Sequence, residues 1–285
     1  MRLFDCFTFY NELTLLRLRL ETLGAHVDRF VLVEATKTFT GKPKPLVFEA
    51  NRHLFTPWLD KIEHVVVDDM PDEGDAWARE IHQRNAIARG LSSARPEDLI
   101  MVSDVDEIPA PEALGSISSV KPTLFGMRMF YYFFNLELIH TKAYMNRAKA
   151  AAFTANAWVG TKAVPFHLFR SAQALRMTKA RTYPWYRIDR KNPFILENAG
   201  WHFSYLAPVS GIMEKIANFS HQELNTAAIN NAGTIEQEIR RLISGEEVSF
   251  GAVGRYHGRP VHIDGSFPAA LQDPDDTWRA FILNV

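Results

Sequence analysis

One cysteine, Cys6, occurs in 285 residues. A single thiol forms no internal disulfide and builds no multi-cysteine zinc site, so a disulfide-stapled scaffold is excluded and a reducing compartment fits. No apolar run approaches the ~20 residues of a membrane span. The first residues, MRLFDCFTFYNEL, carry charges and polar groups too early and too often for a signal-peptide core. These absences together predict a cytoplasmic protein. Neither sign of charge is in excess, since 32 basic and 33 acidic residues leave a net charge of −1. No global field therefore draws the chain to nucleic acid or to an anionic membrane. The phosphate loop G-x-x-x-x-G-K-S/T, the nucleophile elbow G-x-S-x-G and the zinc motif H-E-x-x-H are all missing, which removes the support for kinase-like NTPase, α/β-hydrolase and zincin readings. Internal repeats and low-complexity tracts are missing as well.

What is present suits one large α/β domain. Hydrophobic residues make up 47% and charged residues 23%, enough apolar material for a sizeable core. Residues 3–9 form a phenylalanine-rich run suited to a buried strand. Asn11 then stands where an N-cap would accept from the next turn, Leu13, Leu16, Leu20 and Leu23 follow at helical spacing, and Gly24 occupies the place of a left-handed C-cap. Strands are expected at 30–33, 62–67 and 99–102, with a loop at 41–45, where prolines remove backbone donors, and a helix over 72–91. Strands alternating with helices imply βαβ units and a largely parallel, Rossmann-related central sheet flanked by helices. The second half is less regular. An aromatic-rich stretch at 124–135 reads as one long strand or two with a bend, and a strand is expected within 197–205. Helices are expected at 208–219 and 234–243. Residues 158–170 and 183–188 give no clear period, and 251–274 reads as irregular. The whole chain, 1–285, is read as a single domain, with a nucleotide-binding half at 1–120 and an acceptor-side half from 121 onward.

The chemistry centres on Ser103-Asp104-Val105-Asp106-Glu107. In an extended segment, carboxylates at i and i+2 point to opposite faces. Past a strand end the chain turns, and both can approach one cation such as Mg²⁺ or Mn²⁺, which bridges carboxylates to substrate phosphates. Ligands in parallel α/β sheets bind beyond the carboxyl ends of strands, and this pair falls at such an end. An isolated D-x-D reads more often as a solvated turn, so the strand before it, the added Glu107 and the stop at Pro109 carry the weight. Arg79 with Gln83, and Glu80 with Arg84, share helix faces four residues apart. They make either a solvated ion-paired face or, through Arg84 and Asn85, a reach toward nucleotide or phosphate. Thr40, Gly41, Lys42 and Lys44 sit in a polar loop able to meet an anion, or simply to face water. His202 could complete a metal shell or be a buried structural histidine. Ser220 and Glu223 match the spacing of a capping box. Trp158, Trp185 and Trp201 could stack on sugar faces, although packing is the commoner fate of tryptophan.

Several of these segments together resemble glycosyltransferase family 17. They are Phe4–Leu13, Val33–Pro45, Arg79-Glu80 with Gln83-Arg84-Asn85, Ser103–Pro109, Gly200–Tyr205 and, more loosely, Phe219–His221, in the family's order. The resemblance implies a GT-A-like fold, a UDP-sugar donor (UDP-GlcNAc in the characterised member), a divalent metal and inversion at the anomeric carbon. It places Asp104 and Asp106 at the metal, with His202 a further candidate ligand from the residues themselves. Asn11, Glu12, Glu34, Thr40, Lys42, Arg79, Arg84, Asn85 and Asp104 fall on the donor side. An inverting reaction needs a carboxylate to take the acceptor's proton, and Glu107, Glu197 and Glu223 are the candidates. The expected partners are a nucleotide sugar and a glycan or other hydroxyl acceptor. The characterised member is membrane-anchored and this chain shows no such span, which leaves the acceptor open. Two other readings stay open on the residues alone: a Mg²⁺-dependent phosphohydrolase or phosphotransferase with an aspartyl nucleophile, and a silent sugar-nucleotide-binding protein.

Overall fold

The structure, a computed structural model, describes residues 1–140, 158–180, 192–249 and 255–285. The expectation at 183–188 and the tryptophan at 185 lie outside the described residues. Twelve strands are present among the described residues: β1 (Leu3–Phe9), β2 (Arg29–Ala35), β3 (Ile62–Val67), β4 (Leu99–Asp104), β5 (Glu107–Pro109), β6 (Thr123–Tyr131), β7 (Leu136–His140), β8 (Trp158–Pro165), β9 (Phe194–Leu196), β10 (Gly200–Ser204), β11 (Glu247–Ser249) and β12 (Arg255–Pro260). The helices are α1 (Leu13–Leu23), α2 (Val47–Ala50), α3 (Ala76–Asn85), α4 (Pro111–Leu114), α5 (Ala172–Arg176), α6 (Val209–Asn218) and α7 (Ala232–Ile243), followed by two single turns at Ala269–Gln272 and Asp276–Arg279.

The sheet runs β11-β12-β7-β6-β8-β4-β1-β2-β3. Its parallel part is the block β3-β2-β1-β4, as βαβ units require. Antiparallel strands extend it, beginning with β8 beside β4. This is the expected α/β class, a central sheet flanked by helices. Alternation along the strands explains the two-sided cover. Phe7 and Phe9 of β1, with Phe30 and Leu32 of β2, join the leucines of α1 in one core. Phe4 and Cys6, with Val31 and Val33, pack with Ile87 and Leu91 in the other. No helix of the described residues is long and apolar enough to cross a membrane.

Several boundaries differ from expectation. The helix expected at 72–91 starts at Ala76, capped by the Asp75 carboxylate, and tightens to 3₁₀ at Ala86–Leu91. Asn11 does not cap α1. Glu12 is the N-cap, and its carboxylate turns back to the N–H groups of Tyr10 and Asn11 at 3.1 Å each. Gly24 is right-handed (φ −59°) rather than left-handed. It is small because a Cβ there would lie 2.6 Å from the Leu20 carbonyl and 2.7 Å from Trp58 Nε1. The aromatic stretch is two strands, and Tyr132 (φ 64°) makes the bend between them. β8 and β12 fall in segments read as aperiodic or irregular. In β8, a central strand, the buried Lys162 breaks the apolar pattern, its ammonium donating to the Arg176 and Thr178 carbonyls.

Candidate active site

β1, β2 and β4 end together. The register pairs Thr8 with Asp104 and Phe9 with Glu34. Asp104 is the last residue of β4, Val105 and Asp106 form the turn, and Glu107 opens β5. The turn is tied down on both sides. Ahead of it, Phe203 N–H of β10 donates to the Asp106 carbonyl at 2.9 Å. Gly200 (φ 151°) lets β10 approach β5, since a Cβ there would sit 2.3 Å from the Ile108 carbonyl. Beneath it lies Arg19 of α1, wholly buried. Its guanidinium forks onto Asp5 at 2.5 and 2.7 Å. It also donates to Ser103 Oγ at 2.6 Å and to the carbonyls of Asp104, Val105 and Glu107 at 3.2, 3.3 and 2.8 Å. One planar cation thus holds the backbone of the whole turn, a task for arginine's fixed fork of donors.

The two aspartates face different cations. Asp104 Oδ2 accepts from Arg176 Nη2 at 2.8 Å, and its Oδ1 lies 3.5 Å from Arg84. Burial pushes this carboxyl up, but Arg176 and Arg84 outweigh that and hold it below the ordinary carboxylate range. Arg176 also forks onto Glu107 at 2.6 and 2.7 Å. Asp106 faces Lys215 of α6 at 3.3 Å and His202 Nε2 at 3.7 Å. It too is lowered: burial raises it, and Lys215 and His202 overcome that. Lys215 reaches Glu12 as well, at 3.5 Å. The His202 ring stacks on Trp158 with centroids 4.8 Å apart, and its Nδ1 is buried with no hydrogen-bond partner.

Of the residues expected on the donor side, Glu12, Arg84 and Asp104 meet in this cluster. Asn85 accepts from Gln173 N–H and so anchors α5, which carries Arg176. Thr40 bonds Thr38 and Asn218, and Lys42 is exposed on the loop. Arg79 is spent on the carbonyls of Phe39, Pro71 and Asp72. Glu34 is fully buried and holds Lys44, His64 and the first N–H groups of α2. These contacts make it a structural carboxylate, set apart from the D-x-D cluster. Asn11 offers its backbone to Glu12.

The three expected base candidates do not converge. Glu107 is 1% exposed, and both its oxygens are occupied: Oε1 by Trp158 Nε1 and Arg176, Oε2 by Arg176 and the Asp104 N–H. Neither oxygen is left free to face an acceptor hydroxyl, and these contacts orient the turn. Glu197 is exposed ahead of β10. Glu223 is exposed and pairs with His221 at 2.6 Å, not with a Ser220 capping box. Trp158 and Trp201 donate to Glu107 and to the Ser266 carbonyl and serve as packing residues.

Sequence reasoning missed Arg19, Arg176 and Lys215. Arg19 was detectable, since an arginine among the leucines of an amphipathic helix needs a buried partner. Arg176 and Lys215 were not, because only the fold brings α5 and α6 to the turn.

Residues 1–161 match Glycosyltransferase family 17. The β-1,4-mannosyl-glycoprotein 4-β-N-acetylglucosaminyltransferases of Rattus norvegicus and Homo sapiens are each 30% identical over 145 residues, covering 47% of this chain and 27% of theirs. The chain thus matches little more than a quarter of those enzymes' length. Among solved structures, the glucosyl-3-phosphoglycerate synthase of M. tuberculosis aligns at 12% identity, covering 96% of this chain and 92% of that one, with a TM-score of 0.38. That likeness is too loose to bear on function. More than half of the chain matches the family, in order and through the D-x-D turn, and the chain belongs to glycosyltransferase family 17.

Proposed function

We propose that the protein transfers a sugar, N-acetylglucosamine as in its relatives' name, from a UDP-sugar to a hydroxyl of a glycan or similar acceptor, with inversion and with a divalent cation. The observation that carries this is the charge at the D-x-D turn. Five carboxylates (Glu12, Glu80, Asp104, Asp106 and Glu107) interlock with three cations (Arg84, Arg176 and Lys215), leaving two negative charges apart from His202. A diphosphate would not settle there unaided, and a divalent cation balances that deficit.

The donor set suits Mn²⁺ or Mg²⁺. Asp104 and Asp106 would hold it, with His202 beside them and its Nδ1 available to bond when the ring shifts. Among the described residues no three of His, Cys, Asp and Glu converge to hold a metal ion unaided. The remaining ligands would come from the donor phosphates, the usual arrangement for these cations. When bound, the cation supplies Lewis-acid charge to the leaving diphosphate. The chain's own part is placement. Arg19 and Glu107 fix the turn, Arg84 and Arg176 keep Asp104 ionised, and Lys215 keeps Asp106 ionised.

The test is a thermal-shift panel of nucleotide sugars with and without Mn²⁺, followed by transfer of labelled N-acetylglucosamine to glycan acceptors. UDP-GlcNAc with Mn²⁺ at a hundredfold over its Kd should stabilise by about 2.7 kcal/mol. Asp106→Ala should abolish Mn²⁺-dependent turnover while the protein stays folded. Unchanged turnover in that variant overturns the metal assignment. Phosphate release from simple phosphate esters, without UDP-sugar binding, overturns the transferase reading.

A further inference from the structure

Lys215 lies outside the stretch that matches the family, and it differs from every other cation at the turn. Arg19 is wholly internal. Arg176 has both terminal nitrogens committed to Asp104, Glu107 and the Gly160 carbonyl. Arg84 is shared among Glu80, Gln173 and Asp104. Lys215 keeps 26% of its side chain exposed, and its two carboxylate contacts are long, 3.3 Å to Asp106 and 3.5 Å to Glu12. A charge-assisted N–H···O bond is usually 2.7–2.9 Å, so Lys215 is held loosely. It has donors to spare and an open side.

Its surroundings are built for that position. Ile212 and Ile216 anchor α6 in the core. Between them the helix turns Glu214 and Lys215 toward the ends of β1 and β4, where Glu214 accepts from the Tyr10 hydroxyl at 3.0 Å. The Tyr205 ring lies 5.7 Å from the ammonium. Tyr205 stands just past β10 with φ 55°, a left-handed backbone unfavourable to a bulky side chain. Such strain persists where the surrounding structure enforces it, and it clusters at ligand sites.

We propose that Lys215 is a ligand of the donor diphosphate, supplied by α6, and that phosphate oxygens replace Asp106 as its closest partner when the donor binds. The proposal rests on the donor reading given above. Asp106 would thereby be free to hold a divalent cation. As the acceptor oxygen bonds to the sugar's anomeric carbon and gives up its proton to solvent, the bond from that carbon to the phosphate oxygen breaks; the diphosphate keeps the electron pair and gains one negative charge, which Lys215 meets with a hydrogen bond.

The experiment is calorimetric titration of UDP and uridine into wild type, Lys215→Met and Lys215→Arg, with and without Mn²⁺. Uridine carries no phosphate and reports whether the nucleoside pocket is intact. In Lys215→Met with Mn²⁺ present, UDP affinity should fall about tenfold or more, as expected for loss of a charged hydrogen bond, while uridine affinity stays at the wild-type value in both conditions. Lys215→Arg should recover most of the loss. UDP affinity equal to or above wild type in Lys215→Met would reduce Lys215 to a counter-ion of Asp106 and overturn the proposal. An equal loss of UDP and uridine affinity would mark α6 as merely structural and overturn it too. A wild-type protein that binds no uridine nucleotide overturns the donor reading, and this one with it.

Discussion

The two carboxylates of the D-x-D turn are held in unlike ways. Asp104 is partly exposed but borders a closed network: Arg176 bridges its Oδ2 to buried Glu107 with contacts of 2.6–2.8 Å, and Trp158 and the turn's own backbone fill what remains of Glu107. Asp106 is itself buried but belongs to a looser one, where Lys215 and His202 stand off at 3.3 and 3.7 Å and Lys215 meets solvent. A closed network fixes geometry, because any change leaves a buried group unpaired. A looser network can exchange partners at small cost. The difference gives Glu107 to shape and leaves Asp104, on its exposed side, and Asp106 to the binding role proposed for them.

The largest expected effect removes the floor common to both. Arg19→Met strips the fork from fully buried Asp5 and from the three carbonyls of the turn. A buried carboxylate left without its partner costs about 3–5 kcal/mol, and the midpoint of urea unfolding should fall accordingly. Arg19→Lys should not rescue, since one ammonium cannot span both the carboxylate and the turn. A loss under about 1 kcal/mol would refute the shared floor.

Next comes the cation crowding behind the closed network. Burial first, and then Arg176, push Lys162 down to about 8. The charged lysine is therefore disfavoured in the folded state at neutral pH. That penalty, about 3 kcal/mol for such a shift, is present below pH 8 and relieved as pH rises toward the unfolded value. The unfolded chain holds the extra proton in that window, so stability rises with pH there. Urea midpoints at pH 7.5 and 10 should show this gain in wild type relative to Lys162→Met. Equal slopes would sink it. A smaller loss, about 2 kcal/mol, is expected for Glu107→Gln, which turns one acceptor of a saturated carboxylate into a donor facing Arg176 or Trp158.

The parallel block was legible because its strands alternate cleanly and its helices carry leucines at helical spacing. β1 and β3 match their expected spans to the residue. The turn was legible because the carboxylate pair follows a clear strand and is backed by Glu107 and Pro109. β8 was hidden by Lys162, whose buried charge is satisfied by carbonyls that only the tertiary fold supplies. Glu107 looked like a base because nothing in a sequence shows that an arginine 69 residues away occupies both its oxygens. Lys215 reads as the polar side of an amphipathic helix until that helix is laid against Asp106.

The smallest effect sharpens the comparison most. Asp106→Asn removes a buried carboxylate whose partners stand at 3.3 and 3.7 Å, and Lys215 keeps Glu12 and a path to water. The cost should be about 1 kcal/mol at neutral pH, because only one long contact is lost and Lys215 is not left unpaired, below that of Glu107→Gln. It should also depend on pH in a defined sense. Asp106 is held below the ordinary carboxylate value in the folded protein, so its contribution is present above about pH 4. It is lost as the pH falls through the lower folded value, where wild type must protonate Asp106 and the asparagine variant has nothing to protonate. The two unfolding midpoints should therefore differ at pH 7 and converge in acid. A difference that persists unchanged at low pH would mean the asparagine damages packing instead. A neutral cost exceeding that of Glu107→Gln would mean the Asp106 network is as closed as its neighbour, and its carboxylate no freer to meet a ligand.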